Sequence, residues 1–131
     1  MQTQDLTNYA VQILQHLREH QDVQPSTIIA ETIGIGYPTF AKIALRLRKK
    51  GLIIAIQGRN GGYVLGKPTC EISFYDVHVA IEGEPWISYS LKNSRRCADS
   101  ERYTSKTQEF LQSVQDKMIA EMTDKRIVDL V

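Results

Sequence analysis

With 131 residues, 42% of them hydrophobic, the chain has material for one compact domain and a helical appendage, not for two separate cores. A formal net charge of +1 selects no partner by itself, and no stretch approaches the roughly twenty apolar residues that span a bilayer. The start MQTQDLTNYAV lacks a basic-then-apolar leader, and two cysteines are too few for a disulfide scaffold, so a cytoplasmic setting with free thiols is expected.

Leu6, Ala10, Ile13, Leu14 and Leu17 recur at helical spacing and predict a first helix from about Leu6 to His20. Its end, HLREH, fits the H-x-x-E-H pattern of zinc hydrolases, in which His16 and His20 would share a metal and Glu19 would act as base. The third ligand would have to come from elsewhere in the chain. The alternative is a solvated helix face, which produces this spacing by chance.

After Pro25, Ser26 is placed to cap a short helix from Thr27 to Ile33, and Gly34 is suited to end it in the left-handed conformation. Pro38 suits the first turn of the next helix. There Phe40, Ile43, Ala44 and Leu47 form one stripe for burial, with Thr39, Lys42, Arg46 and Lys49 on the opposite face. Gly51 closes that helix. LIIAIQ and GYVLG then read as a hairpin around Gly58-Arg59-Asn60-Gly61, because an Asn-Gly pair tolerates positive φ.

Ser73 and Asp76 form a capping-box variant that starts a helix to about Glu82, in which His78 reads as a packed residue. From Glu84 to Ser100 the pattern is polar and loop-like, and Trp86 beside Pro85 reads as a hinge-packing residue. A long helix is expected from about Glu101 to Met122. Its stripe of Phe110, Leu111, Val114, Met118 and Met122 exceeds what so small a domain can cover alone. Thr123 is expected to restart a short terminal turn through Leu130.

Charge is segregated along this layout. Residues 37–67 contain Lys42, Arg46, Arg48, Lys49, Lys50, Arg59 and Lys67 and no acid, a local charge of +7 that leaves −6 for the remainder. An acid-free basic block in an otherwise acidic chain is the footprint of a nucleic-acid-binding face. Two short helices joined through Gly34-Ile35-Gly36 and followed by a hairpin make a winged helix-turn-helix, a mainly α fold with a small β-hairpin (α+β). The second helix is expected in the major groove of double-stranded DNA. Thr39 and Lys42 are the candidates for base contacts, and Arg46 for bases or backbone. Some of Arg48, Lys49 and Lys50 would meet phosphate, with Tyr37 touching phosphate and Pro38 and Asn60 on the same surface. Arg59, held out on glycines, suits a narrow minor groove, where its weakly hydrated guanidinium meets concentrated negative potential.

A second reading takes GRNG as the GXXG loop of an RNA-binding KH module. That loop joins two helices, whereas here strands flank it. Tyr37, Phe40 and Tyr63 are also not interleaved as base-stacking platforms require. Phe40 belongs to the core stripe, and Tyr63 is expected behind the wing.

LRKKGLIIAIQGRNGGYVLGK (47–67), followed by EISFYDVHVAIEGE (71–84), resembles the Rrf (BadM-type) family of bacterial winged helix-turn-helix transcriptional regulators. NYAVQILQHL resembles that family's first helix and RIVDLV its ending. The resemblance implies a homodimeric repressor, not an enzyme, that binds a pseudo-palindromic operator. It also implies a DNA-binding domain over 1–83, a connecting or sensory loop over 84–100, and a dimerisation helix with a C-terminal turn over 101–131. In the family's cluster-bearing members, three cysteines and a fourth ligand lie between the helix ending near Glu82 and the dimer helix. This chain has only Cys97 there, with Ser90 and Arg96 near where the others would stand. A single thiolate per subunit does not hold an iron–sulfur cluster, and Cys70 is poorly spaced to assist, so no cofactor and no metal is expected. Gln57 stands where the family often carries a basic residue. Arg95 and Arg96 favour the thiolate of Cys97, while Asp99 and Glu101 oppose it; a redox-sensing thiol and an inert loop thiol are both open.

Overall fold

The apolar stripe at the head of the chain folds as one helix whose inner face is wholly covered. The computed structural model of the protein describes residues 3–83 and 101–130, with side chains over 5–83 and 106–130. Helix α1 spans Thr3–Glu19, and Leu6, Ala10, Ile13, Leu14 and Leu17 are all buried. Helix α2 spans Ser26–Ile33, but Ser26 is its first residue and not its cap. Pro25 holds the cap position with φ −59°, and no side chain bonds the first turn. Gly34 ends α2 at φ 83°, and the N–H groups of Gly34 and Ile35 both bond the Ala30 carbonyl, at 2.9 and 3.0 Å.

The chain turns through 111° into α3, Tyr37–Lys49, within the range of about 90–120° of helix-turn-helix motifs. Phe40, Ile43, Ala44 and Leu47 are buried as their spacing predicts. Strands β1 (Ile53–Ile56) and β2 (Gly62–Leu65) pair antiparallel, from Ile53 opposite Leu65 to Ile56 opposite Gly62. This register leaves five residues in the loop, and the tip differs from the Asn-Gly turn expected. No described non-glycine residue has positive φ; Gly58 takes it, at 109°. The Gly61 N–H bonds the Gly58 carbonyl at 3.0 Å, placing Arg59 and Asn60 at the two corners of a β-turn with negative φ. Longer hairpin loops are most often built around such a turn, and glycine suits its fourth position.

The hairpin gains a third partner. Gln24 and Tyr63 exchange backbone hydrogen bonds of 3.1 and 2.9 Å, tying the wing to the segment ahead of α2. A side chain at Gly62 would collide with the Gln24 carbonyl, so this approach requires glycine.

The expected capping box is present. Ser73 Oγ accepts from the Asp76 N–H at 3.0 Å, and Asp76 accepts from the Ser73 N–H at 2.9 Å, starting α4 (Phe74–Glu82). Helix α5 spans Glu101–Asp124 and packs against α4. Its end departs from expectation, because the Thr123 hydroxyl bonds back to the Ile119 carbonyl at 2.7 Å and continues the helix. The terminal turn, Ile127–Leu130, starts instead at Arg126, whose N–H bonds Asp129. The Phe74 N–H bonds the Lys125 carbonyl at 2.7 Å and the Ile127 N–H bonds the Ile72 carbonyl at 2.9 Å. These bonds set the Ile127 side chain into the core formed by α1–α4. No single described helix is long and apolar enough to cross a membrane.

Ile127 lies four residues from the end of the chain, yet it is fully buried. Ile127→Ala is therefore expected to lower stability by roughly 2–4 kcal/mol, as for other core truncations, read as a lower urea midpoint at unchanged slope. A loss below about 0.5 kcal/mol, typical of surface positions, would show that the terminal turn is not part of the core.

Candidate nucleic-acid interface

The outer face of α3 follows from the burial of its inner one. At 3.6 residues per turn, Pro38, Lys42, Leu45 and Lys49 stand opposite the buried stripe, and all four are exposed. Thr39 and Arg46, expected on that face, sit about a quarter-turn round and are half-buried. Tyr37 is exposed at the head of the helix. Leu45 joins this face although it is apolar, since it stands two positions from Ile43 and so on the far side of the helix. Arg48 is exposed beside Lys49, and Lys50 caps the end.

The helix ends reinforce this charge. Neither α2 nor α3 has a side-chain cap at its N-terminus or an acidic residue in its first turn. By contrast, α4 carries both, as Ser73 and Asp76. The free N–H groups and positive dipole ends of α2 and α3 thus remain available to phosphate.

The wing is held to α3 through aromatic packing. Tyr63 meets Phe40 edge-on with ring centroids 5.7 Å apart, and Phe40 meets Tyr37 at 6.5 Å. Tyr63 thus packs behind the wing, and Arg59 and Asn60 project exposed at its tip, with Gln57 and Lys67 exposed on its flanks. Among the described residues, none of Lys42, Arg48, Lys49, Lys50, Arg59 and Lys67 is paired with an acid. Asp76 shares a surface hollow with Lys50 and Lys67, whereas Lys42, Arg48, Lys49 and Arg59 meet no described acid in ion-pair contact, so their positive potential extends into solvent.

Arg46 separates from this group. Its Nη1 donates to the Ile81 carbonyl at 2.6 Å, a contact spanning 35 residues of sequence. Carbonyls in the last turn of a helix lack intrahelical partners, and a cation there complements the dipole. Arg46 therefore ties α3 to the end of α4.

The alternative readings lose their geometry. Gly58–Gly61 lies between two strands and joins no helices. Helix α1 ends at Glu19, leaving His20 outside it, and His16 is buried with Nε2 3.1 Å from Gln24 Oε1 rather than on a solvated face. The described residues contain no group of three or more His, Cys, Asp or Glu side chains able to hold a metal. His78 is half-buried on α4, and Cys70 is exposed on the turn before it. Trp86, Ser90, Arg95, Arg96 and Cys97 lie outside the described residues.

A helix-turn-helix followed by a hairpin, with an unneutralised basic surface across both, defines a winged-helix DNA-binding regulator. The chain belongs to the Rrf2 family, whose model, described as an iron-dependent transcriptional regulator, matches residues 3–131. A Lactococcus lactis subsp. lactis (strain IL1403) relative, provisionally named the HTH-type transcriptional regulator YffB, is 29% identical over 128 residues. That match covers 89% of this chain and 81% of the relative. Among solved structures, T. potens IscR is similar at a TM-score of 0.69 and 21% identity, covering 95% of this chain and 82% of that one. CymR (YrzC), the global cysteine regulator of B. subtilis, is similar at 0.64 and 22%, covering 95% and 92%. At these identities the likeness is one of fold. The family's description names iron, but the sequence has only Cys70 and Cys97, so four-cysteine ligation within one subunit is not available.

Loss of the Arg46 tie is expected to appear as lost stability. Arg46→Ala should destabilise the fold by roughly 1.5–3 kcal/mol, the range for a hydrogen bond from a charged donor. The salt dependence of DNA binding should stay unchanged, whereas Lys42→Ala should flatten it by about 0.9 in log–log slope if Lys42 meets one phosphate. A flatter slope in Arg46→Ala at wild-type stability would identify Arg46 as a phosphate contact instead.

Proposed function

We propose that the protein represses transcription in the cytoplasm as a homodimer bound to a pseudo-palindromic operator. The acid-free basic surface shared by α3 and the wing carries this reading. Helix α3 enters the major groove with Thr39 and Lys42 toward base edges. Tyr37, Pro38, Lys49 and Lys50 lie along the backbone. Arg59 and Asn60 reach the adjacent minor groove from the wing tip. The uncapped N-termini of α2 and α3 add phosphate contacts through their free N–H groups.

Dimerisation follows from α5. Phe110, Val114 and Met118 are 66%, 42% and 37% exposed, one helical turn apart, an apolar seam that a monomer leaves in water. A two-fold dimer covers it, and its half-sites then lie about one helical turn of DNA apart or a multiple of that. Residues 1–83 bind DNA, 84–100 connect, and 101–131 dimerise. The protein works without a resident cluster, as its two cysteines support. Cys97, preceded in sequence by Arg95 and Arg96, is the candidate for redox control.

Arg59→Ala is expected to weaken binding to a selected operator by roughly 1–3 kcal/mol, and Lys50→Ala to reduce mainly the salt slope. If neither substitution alters a salt titration, the wing-and-helix interface is wrong.

Phe110→Glu should convert the dimer to monomer in sedimentation at micromolar concentration, since a charge buried without a partner opposes association. A wild-type monomer at that concentration would overturn the dimer.

A further inference from the structure

Helices α1 and α4 run side by side, and with the C-terminal turn they enclose a cavity of about 580 Å³. That volume lies within the range of roughly 300–1,000 Å³ found for small-molecule sites. Two sets of bonds fix its ends. At one end, Thr7 of α1 donates its hydroxyl to Glu82 Oε1 at 3.2 Å, and His78 Nδ1 lies 3.4 Å from Glu82 Oε2. At the other, the Gln15 amide donates to the Leu130 carbonyl at 2.7 Å, closing the floor beside Phe74 and Met122. The cavity is thus polar at the Glu82 end and apolar at the Phe74 end.

Its electrostatics select a ligand charge. Among the described lining residues, Glu82 is the one carboxylate and there is no lysine or arginine. The Glu82 side chain is 23% exposed, so a charge placed against it is screened less than on the open surface. A carboxylate offers about four lone-pair sites, and Thr7 and His78 engage two of them. The remainder can accept from an ammonium or amidinium group. At the other end of the cavity, Phe74 and Met122 offer apolar surface to whatever carries that group.

We propose that this cavity binds a small organic cation, an amine or amidine on an apolar body, with its charged head on Glu82 and its body against Phe74 and Met122. Binding there reaches the DNA-binding surface by a short route. Glu82 follows Ile81, whose carbonyl receives the Arg46 hydrogen bond from α3, and Met122 continues the exposed seam of α5 by one turn. A cation held by Glu82 therefore bears on the turn of α4 that positions α3. This coupling rests on the DNA-binding reading, whereas the site itself does not.

The test uses tryptamine and benzamidine as probes, with indole-3-acetate and benzoate as matched anions. Each is titrated calorimetrically into the full chain without DNA. Saturable binding of a cation is expected, with no binding of its anionic counterpart. Glu82→Gln should weaken it about tenfold, as loss of a charge-assisted hydrogen bond implies. Met122→Trp, which fills the apolar end, should abolish it and gives an independent reading should Glu82→Gln fail to fold. Absence of saturable binding by both cations, equal binding of the anions, or indifference to both substitutions would overturn the site. A second titration measures affinity for selected operator DNA with and without saturating cation. A shift is expected, and no shift would overturn the coupling. A chain that bound the cation but no DNA would overturn the DNA-binding reading and leave the site standing.

Discussion

Burial of one face of α1 is the constraint on which the remaining structure rests. Helices α2, α3 and α4, strand β2 and both short turns all pack against α1. Ala10, Ile13 and Leu14 on that face are fully excluded from water. Because a helical side chain cannot move without its neighbours one turn away, the spacing of α1 fixes where each surrounding element meets the core. The angle of α3 and the position of the wing are thus set from behind, leaving their outer faces free for other work. The polar bond between buried His16 and Gln24 belongs to the same arrangement, since Gln24 is also the residue whose backbone pairs with the wing.

The distribution of helix caps divides the molecule by purpose. Helix α4 has a full capping box, and Arg46 bonds a carbonyl of its last turn. Helices α2 and α3 leave their N-terminal amides unbonded by any side chain, and six cations on α3 and the segment after it pair with no acid among the described residues. Each of these features forgoes local stability, about 1 kcal/mol for a missing cap and about 0.2–0.5 kcal/mol for each close pair of like charges on a helix. Departures from local optimisation of this kind gather at functional surfaces. Here they coincide with the surface that the charge count alone marks out.

Local and periodic features were legible in the sequence. The buried stripes of α1 and α3, the left-handed Gly34, the capping box of Ser73 and Asp76, and the apolar seam of α5 all leave marks within a few residues. The features that were not legible depend on long-range contacts or on fine angular position. Nothing local distinguishes Arg46, bonded across 35 residues to Ile81, from its exposed neighbours. The polarity of Thr39 and Arg46 points to the outer face, although a quarter-turn separates them from it and both are half-buried. Gln24 makes His16 an interior residue, a pairing invisible in the HLREH pattern. The hairpin tip departs from the Asn-Gly expectation because register, not that pair, determines loop length.

The closing of the core by Ile127 has a consequence for synthesis. The Phe74 N–H and the Ile72 carbonyl find their partners in Lys125 and Ile127, and the Gln15 side chain finds one in Leu130. Chains emerge from the ribosome at about 5–20 residues per second, so the first four helices wait several seconds for the segment that completes them. During that interval the nascent chain carries an open groove where Ile127 will sit, exposed to chaperones and proteases. The long helix α5 is necessarily made before the groove closes. The seam proposed to join two copies is therefore synthesised before either copy has a finished interior, which would give partner chains translated from one message an opportunity to meet early.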